Sequence, residues 1–186
     1  MDPQELLKQA QLLLVDGKDE ESIKAFTKAL EGGADPYISY LSRGVACVKI
    51  KDVDNAINDF SKAISANSQS ARAYFYRGMA YMMRVEFENA VADFTIALEL
   101  KPGYGMAKFS RGVSYARLGR IDEASEDMLA VMPQMEENIQ SFADTYGIVR
   151  TEMWKVMAQM SGETGMPTLE LNEKNMDTLK KWLEEA

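Results

Sequence analysis

The chain has 186 residues, 46% of them hydrophobic and 27% charged, enough for a domain with a real core and too apolar to be wholly disordered. Its 29 acidic and 21 basic side chains give a net charge of −8, a poor match to nucleic acid or an anionic membrane, where affinity comes from Lys and Arg. With no His and one cysteine, Cys47, the chain cannot build a His-based triad, a His-ligated metal or haem site, or an intrachain disulfide.

Residues 1–14 lack a basic stretch followed by a long apolar run, so neither a signal peptide nor membrane insertion is expected, and a cytoplasmic, reducing compartment is the expectation. Laid on itself at an offset of 34, the chain superposes Gly44, Gly78 and Gly112, then Ala56, Ala90 and Ala124, then Phe60 and Phe94 with Met128. One period earlier, Ala10 falls under the glycines, Ser22 under the alanines and Phe26 under the aromatics. Four repeats result, about 3–36, 37–70, 71–104 and 105–133, together forming a first region over 1–133. Each reads as two helices. Apolar and small residues at helical spacing mark the first, such as Tyr74, Gly78, Tyr81 and Met82. A polar link such as Asp16-Gly17-Lys18 follows, and acidic clusters such as Asp19-Glu20-Glu21 open the second helix, where the dipole favours them. Pro36 and Pro102 are read as closing repeats one and three.

This pattern resembles the tetratricopeptide repeat. Tyr74-x2-Arg77-Gly78-x2-Tyr81, then Ala90-x3-Phe94, then Pro102, track that family's signature, with Tyr for its Trp and Arg for its Leu. Repeat one departs most, through Ala10, Leu13 and Ser22; repeat four lacks the second-helix aromatic and the closing Pro. The expected fold is all-α: a right-handed α-solenoid of four helix pairs with a concave inner surface, plus C-terminal capping helices. The resemblance implies scaffolding or assembly of a complex and no catalysis, and no cofactor is expected.

Arg43/Asp59, Arg77/Asp93 and Arg111/Asp127 recur sixteen residues apart, and in repeat one both members are lost together, to Gln9 and Ala25. Joint presence and joint loss predict structural ion pairs bridging helices within a repeat or between neighbours. Some members of the family hold a C-terminal carboxylate with a Lys, Asn, Asn, Lys, Arg clamp. The matching positions hold Leu7, Gln11, Ser42, Arg72 and Tyr76, or Leu41, Val45, Tyr76, Met106 and Ser110 one repeat on. That clamp is rejected.

Leu7, Leu14, Ile38, Leu41, Val45, Val48, Phe75, Met79, Met82, Met83, Phe109 and Val113 are read instead as an apolar first-helix face opposite the core, lining a peptide-binding groove. The cluster Met79-Met82-Met83 suits an adaptable surface. Cys47 stands at the family's Tyr position and reads as a small buried hydrophobe.

The remaining region, 134–186, has no repeat signature. Met135, Ile139, Phe142, Tyr146, Val149, Met153, Val156 and Met160 make a heptad-like seam on one long helix, about 134–160. A loop over 161–171 and a last helix, about 173–185, follow. The seam has three readings: a cap on the last repeat, a filling for the groove, or a homodimer contact through the C-terminal helices. The function expected is a non-catalytic interaction scaffold that binds an apolar peptide or helix in its concave groove, with a protein rather than nucleic acid as partner. One alternative is a self-assembling adaptor whose groove is filled by its own C-terminal helix or a second copy. Another is a secretion-type chaperone for a hydrophobic segment.

Overall fold

The computed structural model describes residues 2–131. Its helices are α1 (Pro3–Val15), α2 (Asp19–Glu31), α3 (Pro36–Lys49), α4 (Val53–Ala66), α5 (Ala71–Met83), α6 (Phe87–Leu100) and α7 (Gly105–Arg117), and residues 121–131 form α8. No strand occurs among the described residues. The helices expected over about 134–160 and 173–185, and the loop between them, lie outside the described residues, and the cap, groove-filling and dimer readings go with them.

Local chemistry sets the helix starts. Asp35 Oδ1 accepts from the Ile38 amide at 2.7 Å, and Ser70 Oγ accepts from Ala73 at 3.2 Å, each satisfying an amide with no partner inside the helix. Pro3 and Pro36 stand at the first helical position, where a missing N–H costs nothing. Pro36 therefore opens α3 rather than closing repeat one. The stop is made earlier, at Glu31, by Gly32 and a left-handed Gly33 (φ 87°).

The turn from first to second helix is the same in all four repeats. The amides of Lys18, Asp52, Glu86 and Arg120 donate back to the carbonyls of Leu13, Cys47, Tyr81 and Tyr115, each at 2.9 Å. This six-to-one closure needs a left-handed residue just before the donor. Gly17 and Gly119 fill that position in repeats one and four, whereas Lys51 and Val85 do so at φ 64° in repeats two and three.

Within each pair, small residues bring the backbones together. A Cβ on Gly44 would stand 2.6 Å from Phe60 Cε1, and one on Gly78 would stand 2.7 Å from Phe94 Cε1, so the ring lies on the glycine itself. Phe26, Phe60 and Phe94 are completely buried. Between repeats, consecutive first helices touch (α1 with α3, α3 with α5, α5 with α7), while the second helices α2, α4 and α6 do not touch one another. The row therefore curves with the first helices on its tighter, inner side.

Repeat one departs from the others in what α1 places at the stacking positions. Ser39, Ala73 and Ala107, and Ala46, Ala80 and Ser114, are fully buried on the first helices of repeats two to four. Repeat one places Glu5 and Leu12 in the same registers, and both are exposed. An unpaired carboxylate is costly to bury, so Glu5 is unsuited to the close stacking that Ser39, Ala73 and Ala107 make.

Candidate interaction groove

The recurring Arg and Asp come together inside each repeat. Arg43 donates from Nε and Nη2 to both oxygens of Asp59, each at 2.7 Å. Arg77 meets Asp93 at 2.7 and 2.8 Å, and Arg111 meets Asp127 at the same distances. The three aspartates are buried. Hydrogen bonds to the carboxylates are the main reason each guanidinium binds its proton more tightly than usual, against the pull of burial. Arg43 also lies 5.5 Å over the Tyr40 ring, Arg77 5.7 Å over Tyr74 and Arg111 5.8 Å over Tyr115. These cations are engaged in holding helices together and are unsuited to gripping a ligand.

One part of this arrangement escaped the sequence reading. The third donor of each Arg reaches the preceding second helix: Arg43 to Thr27 Oγ1, Arg77 to Ser61 Oγ and Arg111 to Thr95 Oγ1, at 2.8, 3.1 and 3.2 Å. Each hydroxyl in turn donates to the carbonyl four residues before it. The signal was available, because Thr27, Ser61 and Thr95 recur at the same offset of 34, sixteen residues before each Arg.

The expected groove residues divide into two sets. Leu7, Leu41, Phe75, Phe109 and Val113 are buried and do not line an open wall. Phe75 lies 5.8 Å from the Phe94 ring and 4.9 Å from Tyr104, inside a core shared with Ala107 of the next repeat. Leu41 packs with Phe60 and with Ala73 and Ala80 of α5; Leu7 packs with Phe26, Ala29 and Ala34. The expectation that these residues face away from the core is corrected. Successive first helices lie against one another, so Leu41 and Phe75, one turn before the glycines, are covered by the next first helix.

The second set remains on the surface of the inner layer. Leu14, Val45, Val48, Met79 and Met82 are half-buried, each packed at the edge of a core cluster, and Ile38 and Met83 are exposed. On α5 the stripe Arg72, Tyr76, Met79, Met83 runs at steps of four, three and four, which keeps one helical face. The same register is Ile38, Ser42, Val45 and Lys49 on α3, and Met106, Ser110, Val113 and Arg117 on α7. Stripes on α5 and α7 meet directly: Ser110 Oγ donates to Met79 Sδ at 3.6 Å. Among the described residues, no cluster of His, Cys, Asp or Glu could hold a metal ion, and no helix is long and apolar enough to cross a membrane.

Paired antiparallel helices stacked in register, with small residues at each crossing and a curved inner layer, define an α-solenoid repeat protein. The chain belongs to the tetratricopeptide repeat family, which matches it over residues 7–70, 51–105 and 86–131. Proteins of this family mediate protein–protein interactions and are generally non-catalytic. No curated protein sequence matches the chain. Among solved structures, the crystal structure of MamA aligns with a TM-score of 0.70 and 24% identity, over 75% of this chain and 81% of that one. MamA from residue 41 to its end, from Desulfovibrio magneticus RS-1, gives 0.68 and 23%, over 74% and 77%. These two likenesses are of fold. The first tetratricopeptide domain of Spaghetti (RPAP3), bound to the HSP90 peptide SRMEEVD, gives 0.60 and 27%, over 63% of this chain and 94% of that one.

Proposed function

We propose that the chain is a non-catalytic scaffold that holds an apolar peptide or helix of another protein against its inner layer. The observation that carries this reading is the half-buried strip Val45, Val48, Met79 and Met82, continued at its ends by exposed Ile38 and Met83. Apolar groups left on a curved inner wall gain by being covered, at roughly 25 cal/mol per Å² removed from water. Methionine adds a side chain able to fit partners of different shape. The RPAP3 domain, which has this fold and a peptide bound, supports a peptide-holding role for the scaffold.

The Lys, Asn, Asn, Lys, Arg clamp does not extend to this chain. Leu7, at the first clamp position, is buried, and of the five positions only Arg72 carries a charge. Recognition therefore falls to the apolar strip.

The test is binding of a labelled synthetic helix, Leu and Ala on one face and Gln on the other, to the full chain, followed by fluorescence anisotropy. Met79→Glu with Met82→Glu is expected to weaken binding at least about tenfold by placing carboxylates on the strip. Undiminished binding by that variant would move the site off the inner layer.

A further inference from the structure

The net charge hides a division between the two layers. α3, α5 and α7 contain no Asp or Glu, and α1 contains Glu5 alone. Every second helix carries at least two carboxylates. Three inner-layer cations, Arg43, Arg77 and Arg111, are neutralised by their aspartates. Lys8 and Arg72 are exposed and form no salt bridge among the described residues. Arg72 opens the α5 stripe that continues through Tyr76 and Met79, and Lys8 holds the Tyr76 register on α1.

Resting on the groove reading above, we propose that the segment held there is acidic as well as apolar: a helix or strand whose carboxylates flank the face that covers Val45, Val48, Met79 and Met82. A curved wall with low-dielectric side chains concentrates the field of the charges it carries, and here nothing of negative sign on α3, α5 or α7 opposes it. A carboxylate beside Arg72 gains a charge-assisted hydrogen bond, whereas a lysine in its place meets a like charge and no carboxylate on that helix. Recognition is by side-chain carboxylates along the segment. It does not require a chain terminus, since the other clamp positions hold Leu7, Gln11, Ser42 and Tyr76.

The test uses the full chain and three labelled helical peptides, each about five turns long, that share one Leu and Ala face and carry Glu, Gln or Lys on the other. The expected order is Glu, then Gln, then Lys, with Glu over Lys by about tenfold or more. That advantage shrinks in about 0.5 M salt. Lys8→Glu with Arg72→Glu, at exposed positions and with the helical circular dichroism unchanged, is expected to remove the preference for Glu. Equal binding of the Glu and Lys peptides, or a preference that survives the double charge reversal, overturns the inference while leaving the groove reading intact. Binding of none of the three overturns both.

Discussion

Arg43 Nη1 donates to Thr27 Oγ1 at 2.8 Å, sixteen residues back, while its other two donors take both oxygens of Asp59, sixteen residues on. One side chain therefore ties three helices, α2, α3 and α4, across a repeat boundary. The unit is repeated at Arg77 and Arg111. Repeat one has Gln9 and Ala25 in place of the pair. In the fourth repeat, Leu129 stands where the hydroxyl would be and is exposed.

Removing one member of such a pair should cost more than removing both. Arg77→Leu leaves Asp93 buried without its counter-ion and is expected to destabilise the chain by about 3 kcal/mol, whereas Arg77→Leu with Asp93→Leu recovers most of that loss. Urea unfolding followed by circular dichroism measures both. A double variant as unstable as the sum of the two single ones would show that the groups do not satisfy one another.

The glycines of the crossings separate into two kinds. At Gly44 and Gly78 an added methyl runs into a phenyl ring below 3.0 Å, and at Gly112 it meets Asp127 Cβ and Met128 Cγ at 3.2 Å. Gly44→Ala and Gly78→Ala are expected to cost about 1–3 kcal/mol through overpacking, even after the helix-forming gain of Ala. Gly112→Ala is expected to cost less than either, because its contacts with Asp127, Met128 and the Ala124 carbonyl, at 3.2–3.3 Å, need to give by only a few tenths of an ångström and Ala favours the helix. Repeat one already carries Ala10 at this position, in one core cluster with Phe26. Equal losses at Gly44 and Gly112 would remove the ring as the cause.

The offset of 34 made the helix pairs, the crossings and the ion pairs legible, because each rests on residues that recur in the same register. Burial of Leu41 and Phe75 was not legible. Helical spacing names a face, but the stagger between successive first helices decides what covers it, and no spacing within one helix encodes that stagger. The charge division was written plainly in α3, α5 and α7 and was lost by summing charge over the whole chain. The left-handed turn position was equally visible in Gly17 and Gly119, yet Val85 in the same register gave no hint, since β-branched residues rarely adopt it.

Val85 combines two unfavourable features, a β-branched side chain at φ 64° and 69% exposure. Left-handed backbone costs an ordinary L-residue about 1–2 kcal/mol, and Gly avoids it at a smaller entropic cost. Val85→Gly is therefore expected to stabilise the chain by about 1 kcal/mol and to raise the melting temperature, with Lys51→Gly giving a smaller gain. Scanning calorimetry checks both. A lower melting temperature for Val85→Gly would show that the turn carries no such strain.

Cys47 gives a dependence on pH. It is 3% exposed on α3, and burial first, then Asp59 and Asp52, pushes its thiol up to about 11. The neutral thiol is thus favoured by the fold. An unfolded chain loses this proton near the ordinary thiol value, so the associated stability is complete below that value and falls as pH rises towards about 11. The chain is expected to lose urea resistance more steeply across that interval than Cys47→Ala does. Iodoacetamide should label native Cys47 far more slowly than the unfolded thiol at about pH 8, because the thiolate is the nucleophile and the fold suppresses it. Parallel pH profiles for the two proteins, together with rapid labelling of the folded chain, would show an accessible thiol.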